Sequence, residues 1–154
     1  MMAIYLVQHG KSLPKEVDPE QGLSEQGIAE VKLIAGVAKN YRITVSKILH
    51  SGKIRAARTA ELFADALQPG QGISAAEGLN PLDSVDAFAM KLDAESQIMI
   101  VGHLPFMEKL VSRLTTGREG HTIFKFQNGG IVCLDQEKAR GKWLIKWALM
   151  PKID

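Results

Sequence analysis

The chain has 154 residues, 45% of them hydrophobic and 23% charged, which is an ordinary globular composition and predicts a single domain over residues 1–154. The formal net charge of +2 gives no indication of nucleic-acid binding. No stretch approaches the roughly 20 apolar residues of a membrane span. The N-terminus lacks a signal peptide's basic region. With one cysteine, Cys133, no internal disulfide can form, and we expect a cytoplasmic protein.

The first predicted element is a buried strand that leads into a histidine. Ala3–Val7 is largely apolar and is followed by Gln8, His9 and Gly10. An apolar run without clean alternation predicts a strand covered on both faces, as in a parallel α/β sheet. Ligands of such sheets bind beyond the carboxyl ends of the strands, where His9 falls. Gly10 allows the sharp turn that leaves the imidazole accessible.

Helices and strands then alternate along the chain. Lys11–Gly22 is polar, contains two prolines and predicts a loop. Ser24 provides an N-cap for an amphipathic helix over Glu25–Asn40, whose apolar residues recur at helical spacing. A strand is predicted next over Thr44–His50, followed by a helix over Lys53–Leu67. A short strand over Ile73–Ala75 and a helix over 83–92, beginning at Asp83 or Ser84, are predicted after them.

A second strand repeats the pattern of the first. Gln97–Gly102 is apolar and leads into His103, and a helix is predicted over Leu104–Thr115. Beyond it, three strands joined by turns at 128–130 and 140–141 are predicted over Thr122–Phe126, Gly130–Asp135 and Lys142–Leu149. These elements predict an α/β fold, a three-layer α/β/α sandwich whose mostly parallel central sheet has an antiparallel edge.

Three basic side chains follow predicted strands: His9, Arg55 and His103. Because the carboxyl ends of parallel strands share one edge of a sheet, we expect the three to meet in one crevice. Neutral imidazole is a nucleophile, and a guanidinium binds phosphate oxygens two at a time. The pattern therefore favours phosphoryl transfer through a covalent phosphohistidine. Cationic groups would carry the transition-state charge, so the prediction includes no metal and no cofactor.

Four motifs in this order resemble the histidine phosphatase (phosphoglycerate mutase-like) superfamily, and within it the short SixA-type phosphohistidine phosphatases. They are Gln8-His9-Gly10, Leu23-Ser24-Glu25-Gln26-Gly27, Ser51-Gly52-Lys53-Ile54-Arg55-Ala56 with Thr59-Ala60, and Gly102-His103-Leu104-Pro105. The resemblance covers nearly the whole chain and implies the phosphoglycerate mutase-like fold. It also implies that His9 is the phosphorylated nucleophile and that Arg55 and His103 bind the phosphoryl oxygens.

The resemblance adds Gln8, Gly10 and Gln21 as substrate-binding positions, and two of these depart from the family pattern. Gln8 stands where the family has an arginine, and Gln21 matches a SixA-type arginine. A charge-assisted hydrogen bond is worth about 1.5–3 kcal/mol, so each loss is expected to slow the reaction roughly tenfold to a few hundredfold. We expect an activity that is weakened by Gln8 and Gln21.

No general acid is assigned from the sequence. Glu77, Asp83 and Asp86 lie in the region where larger relatives carry a carboxylate, but none stands in a matching motif. A phosphorylated histidine as substrate would lessen the need for an acid, because imidazole is a better leaving group than an alkoxide.

Two other kinds of site are compatible with parts of the pattern. A catalytic zinc normally needs three protein ligands, and His9, His103 and His50 would supply them only if His50 points into the crevice. Cys133 with Arg140 suggests a cysteine phosphatase, but the spacing is Cys-x6-Arg and no glycine-rich segment follows the cysteine. A buried cysteine that packs like a small hydrophobic residue is the better interpretation of Cys133.

The sequence thus predicts a phosphatase that acts on a phosphohistidine protein of the phosphotransfer type or on a small phosphoester, through a covalent phosphohistidine. No nucleic-acid or membrane partner is expected. The alternative is a catalytically weak module on the same fold, which uses Gln8 and Gln21 to bind phosphate or a phosphoprotein. A mutase or a small-metabolite phosphatase is less favoured, because the short chain leaves little room for insertions that close over small substrates.

Overall fold

The computed structural model describes residues 3–137, 139 and 141–153. The strands are β1 (Ile4–Gln8), β2 (Lys47–His50), β3 (Ile73–Ala75), β4 (Ile98–Gly102), β5 (Ile131–Glu137) and β6 (Lys142–Leu149). The α-helices are α1 (Glu25–Asn40), α2 (Ile54–Leu67), α3 (Val85–Ala89) and α4 (Phe106–Thr116), and a short 3-10 helix spans Ala94–Ser96. No helix in these ranges is both long and apolar enough to cross a membrane.

All six strands form one sheet in the order β3-β2-β4-β1-β5-β6. The pairs β3-β2, β2-β4 and β4-β1 are parallel, whereas β1-β5 and β5-β6 are antiparallel. The predicted mixed sheet with an antiparallel edge is therefore confirmed. The order also makes β1 and β4, the two strands that lead into histidines, direct neighbours.

The sheet is covered on both faces, because successive side chains of a strand point to opposite sides. Tyr5 and Val7 of β1 pack in one core with α1 and α2, while Ile4 and Leu6 pack in a second core with α3 and α4. All four side chains are fully buried. This explains the apolar run without alternation and confirms the three-layer sandwich.

Several element ends differ from the prediction. β2 begins at Lys47 rather than Thr44, because its partner strand β4 begins at Ile98, the residue that pairs with Lys47. α4 begins at Phe106, one residue after Pro105. α3 ends at Ala89 rather than Leu92, since the N–H groups of residues 91 and 92 donate to carbonyls only three residues back.

The strand predicted over Thr122–Phe126 is wrong. The segment has alternating apolar side chains, and Phe126 is buried while Ile123 is half-exposed. However, both edges of the following strand, β5, are occupied by β1 and β6. An extended segment without a partner strand forms no ladder, so this one packs through its side chains, including an edge-to-face contact between Phe124 and Phe126.

A close approach between two backbone segments fixes α1 beside the end of β1. A Cβ atom on Gly27, in the first turn of α1, would lie 2.1 Å from the carbonyl oxygen of Lys11. A Cβ on Gly10 would lie 2.9 Å from a methyl group of Val31. Glycine at both positions therefore allows α1 to pack directly against the residues that follow His9.

Candidate active site

His9 and His103 meet at the carboxyl edge of the sheet. Gln8 and Gly102, the last residues of β1 and β4, are paired in register. The N–H of His9 continues the pairing, donating to the Gly102 carbonyl at 3.0 Å. The ring centroids of the two histidines are 5.0 Å apart, with their planes at 50°. The structure thus brings together two imidazoles that are 94 residues apart in the chain.

The hydrogen bonds of His9 define which ring nitrogen is available. Nδ1 lies 2.7 Å from the carbonyl oxygen of Gly10, and because a carbonyl only accepts, Nδ1 carries the hydrogen and donates it. In the neutral ring Nε2 therefore holds the lone pair. The side-chain amide of Asn128 donates to the carbonyl of His9 at 2.9 Å, and the N–H of Gly129 donates to the carbonyl of Gln8 at 2.9 Å. These contacts fix the backbone on which the ring is mounted.

Burial keeps His9 in the neutral form. The pKa of His9 is lowered mainly by desolvation, while the hydrogen bond to Gly10 acts in the opposite direction and the charge of Arg55 lowers the pKa further. A histidine with a lowered pKa is neutral at pH 7, since the ordinary value is about 6.5. His9 therefore presents an uncharged nucleophilic nitrogen.

His103 is held more deeply, with 2% of its surface exposed. Its Nε2 lies 2.6 Å from the hydroxyl of Ser51, and its Nδ1 has no hydrogen-bond partner among the described residues. The pKa of His103 is lowered to about 3, mainly by burial and then by interactions with His9, Arg55 and Lys53, in that order. Since Arg55 and Lys53, which act on His103, are both cationic, the crevice is suited to an anion.

The first turn of α2 forms a further wall of the crevice. Its N-cap residue, Lys53, makes no side-chain capping bond, unlike Ser24 of α1, which accepts from the N–H of Gly27 at 3.0 Å. Free N–H groups at a helix start and a nearby guanidinium, that of Arg55, both favour an oxyanion. The hydroxyl of Thr59 ties this turn to the first strand: it accepts from the N–H of Gly10 at 2.9 Å and donates to the carbonyl of Arg55 at 2.8 Å.

The three predicted substrate-binding positions differ in their burial and hydrogen bonding. Gly10 is buried beside His9, and its N–H donates to the hydroxyl of Thr59. Gln8 is half-buried, and its side-chain carbonyl is buried without a hydrogen-bond partner in the described part of the chain. Gln21 lies in the loop between β1 and α1, with a left-handed φ of 51°, and no hydrogen bond joins its side chain to either histidine.

None of the candidate acids forms a hydrogen bond with His9 or His103. Asp86 is in an ion pair of 2.6 Å with Arg113, Asp83 accepts from the N–H of Asn80, and Glu77 is exposed. Within the ranges that the structure describes, no three His, Cys, Asp or Glu side chains are placed to hold a metal ion. Nδ1 of His50 accepts from the N–H of Gly52 at 3.0 Å, so this nitrogen is already engaged.

The interpretation of Cys133 as a buried, hydrophobic-like residue agrees with the structure. Its side chain is fully buried in the sheet opposite Tyr5. Burial raises the pKa of the thiol to about 11, so it is protonated at pH 7 and is not a nucleophile. Arg140, the other residue of the cysteine phosphatase alternative and of the predicted turn at 140–141, lies outside the described residues.

Three residues of the site were not recognised as functional from the sequence: Ser51, Thr59 and Asn128. Ser51 and Thr59 stand within the motif that also contains Arg55, so the resemblance carried a signal for both. Asn128 was predicted only as part of a turn. Its contact with His9 joins residues 119 positions apart, which no local pattern reveals.

The similarity to known proteins extends over nearly the whole chain. No protein-family model matches it. The chain is 28% identical to an uncharacterized protein of Picosynechococcus sp., over 90% of the chain and 88% of that protein. It is 25% identical to the phosphohistidine phosphatase SixA of Escherichia coli, over 97% of the chain and 94% of that protein.

A solved structure of a protein histidine phosphatase SixA complexed with tungstate superposes with a TM-score of 0.83. It is 23% identical, covers 97% of each chain and shows the same fold. The chain is therefore similar to the SixA-type histidine phosphatases over nearly its whole length. This similarity confirms the predicted resemblance, including its SixA type, and supports a phosphatase activity.

Proposed function

We propose that this protein removes the phosphoryl group from a phosphohistidine of a protein substrate, with His9 as the nucleophile. One observation carries the proposal. The Nδ1–H of His9 is engaged by Gly10, which leaves the lone pair of Nε2 available beside His103 in a crevice whose charged groups are cationic. Arg55, His103 and the free N–H groups of α2 bind the phosphoryl oxygens. The side chains of Gln8 and Gln21 are substrate-binding residues that replace charged contacts with neutral ones.

The first step transfers the phosphoryl group to the enzyme. The lone pair of His9 Nε2 attacks phosphorus, so an N–P bond forms while the N–P bond of the substrate breaks. The electron pair of that bond stays on the leaving imidazole, which takes up a proton from solvent and becomes a neutral histidine. Arg55 and the N–H groups of α2 hold the negative charge of the three phosphoryl oxygens during transfer.

The second step returns the enzyme to its starting state. Water attacks the phosphorus of phospho-His9, so an O–P bond forms and the N–P bond breaks. Its electron pair returns to Nε2, and the proton lost by water leaves with solvent or phosphate. Burial favours this outcome, because the lowered pKa of His9 stabilises the neutral ring that is released.

Two observations support phosphohistidine as the substrate. The Escherichia coli relative that matches the chain over most of its length is a phosphohistidine phosphatase. In addition, none of the candidate acids Glu77, Asp83 and Asp86 is engaged with either histidine, and an imidazole leaving group depends less on an acid than an alkoxide does. The alternative of a module that only binds phosphate is not favoured, since the named relative is an enzyme.

The test is to trap the intermediate. A phosphohistidine protein labelled with radioactive phosphate is mixed with the enzyme and quenched, and the enzyme should carry acid-labile, base-stable label. His9→Ala should abolish both label and turnover, whereas His103→Ala should slow turnover and retain some label. His121→Ala changes an exposed loop histidine and serves as the control. Label that survives in His9→Ala would contradict the proposal.

A further inference from the structure

A cleft lies beside the histidine pair on the same edge of the sheet. Its volume is about 560 Å³, and three lysines and a stretch of apolar side chains near the C-terminus line it. The lysines are Lys11, Lys125 and Lys152, and the apolar residues include Met150 and Ile153. We call this surface the lysine cleft. Neither catalytic histidine lines it, so it is separate from the phosphoryl crevice.

The lysine cleft adjoins the residues that hold the nucleophile. Asn128 lines the cleft and also donates its side-chain amide to the carbonyl of His9. Lys11, on the cleft wall, is only two residues beyond His9. A substrate segment that enters the cleft is therefore close to the group that His9 attacks.

One wall of the cleft is fixed before any partner binds. The side chain of Gln127 donates to the carbonyl of Lys152 at 2.9 Å and accepts from its N–H at 3.0 Å. These two bonds anchor the C-terminal segment to the segment before β5. A wall that is already ordered loses less entropy on binding.

The cleft carries unbalanced positive charge. The one acidic residue that lines it, Glu30, is 3.8 Å from Lys152 and offsets that lysine. Lys11 donates to the neutral side chain of Gln26 at 3.2 Å. Neither Lys11 nor Lys125 forms an ion pair with a carboxylate of the described residues. Two lysine charges therefore have no carboxylate partner among the described residues.

We propose that the lysine cleft docks an acidic segment next to the phosphohistidine of a protein substrate. This inference rests on the proposed function, because it places the substrate relative to His9. Lys11 and Lys125 attract the carboxylates, and Met150 and Ile153 accept an apolar side chain of the same segment. A positive surface beside the active crevice raises the rate of encounter with an acidic partner and selects against a basic one.

The experiment compares two peptides that each carry one phosphohistidine, made with phosphoramidate. One has Asp and Glu beside the phosphohistidine, and the other has Asn and Gln at the same positions. Wild type should show a lower KM for the acidic peptide, and 0.5 M NaCl should remove the difference, because salt screens exposed charges. Lys125→Glu should reduce the preference about threefold to tenfold through KM, with kcat changing less.

Lys91→Glu is the matched control, since Lys91 is also an exposed lysine but lies near the amino end of β4, away from the cleft. It should keep the wild-type ratio of the two KM values. A ratio unchanged in Lys125→Glu, or equally reduced in both variants, would overturn the proposal.

A second measurement separates this inference from the proposed function. A fluorescent acidic peptide without a phosphoryl group is titrated against the wild type, Lys125→Glu and Lys91→Glu, and anisotropy reports binding. Weaker binding in Lys125→Glu alone supports the docking surface, whether or not the phosphopeptides are hydrolysed. If neither phosphopeptide is hydrolysed, the proposed function is overturned, but the docking surface is not. Equal binding in all three proteins overturns the docking surface, even if His9-dependent hydrolysis is observed.

Discussion

The hydroxyl of Ser51 determines which ring nitrogen of neutral His103 carries the hydrogen. Ser51 Oγ is 2.6 Å from Nε2 of His103 and 3.4 Å from the N–H of Lys53. Because the backbone N–H can only donate, the oxygen accepts it, and the O–H hydrogen is free to be donated to Nε2. The hydrogen of neutral His103 then sits on Nδ1, the nitrogen that has no partner among the described residues.

Substitution of Ser51 tests this assignment. Ser51→Ala removes the bond to Nε2, so His103 no longer has one preferred tautomer, and kcat should fall roughly tenfold, the effect of about 1–1.5 kcal/mol. Ser51→Thr keeps the hydroxyl and should restore most of the rate. Nitrogen NMR of the imidazoles checks the cause directly. If the ring shifts of His103 in Ser51→Ala equal those of wild type, Ser51 does not set the tautomer.

At the scale of the element, the start of α1 positions the turn after His9 through backbone contacts. Ser24 caps the helix, and it also ties it to the preceding loop, since both its N–H and its hydroxyl donate to the carbonyl of Lys11. Gly27 faces the same segment so closely that a methyl group has no room. The position of Lys11, and with it the turn after His9, therefore depends on this helix.

Two glycines of α1 provide a matched pair of substitutions. Gly27→Ala should lower the free energy of unfolding by roughly 1–3 kcal/mol, since the new Cβ meets backbone. Gly36→Ala adds a Cβ with no atom within 4 Å and should raise it by about 0.5–1 kcal/mol, because alanine is the better helix former. Urea unfolding measures both. Gly27→Ala should also reduce kcat, whereas equal effects of the two substitutions would contradict the role of the close approach.

At the scale of the whole molecule, the sequence predicted the architecture because buried parallel strands leave a local signal. The apolar runs before His9 and His103 placed both histidines at one sheet edge, as observed. The prediction failed for Thr122–Phe126, since strand formation depends on a free partner edge and not on alternation alone. The contact of Ser51 with His103 and that of Asn128 with His9 depend on side-chain geometry between distant segments, and no spacing rule gives them.

The buried histidines couple the stability of the whole fold to pH. The pKa of His103 is lowered to about 3, and burial also lowers the pKa of His9. When the pH lies above these lowered pKa values and below the ordinary pKa of about 6.5, the unfolded chain binds more protons than the folded one. The free energy of unfolding therefore falls as the pH is lowered through this range, and the loss is absent above the unfolded value.

This loss can be measured by urea unfolding at pH 7 and pH 5. His103 alone should reduce the free energy of unfolding by about 2 kcal/mol at pH 5, because each pH unit below 6.5 contributes up to about 1.4 kcal/mol. His103→Asn should show a correspondingly smaller decrease. Between pH 7.5 and 8.5, where the ring is neutral in both states, the two proteins should follow parallel curves. An identical decrease from pH 7 to pH 5 in both proteins would show that the pKa of His103 is not lowered in the folded protein.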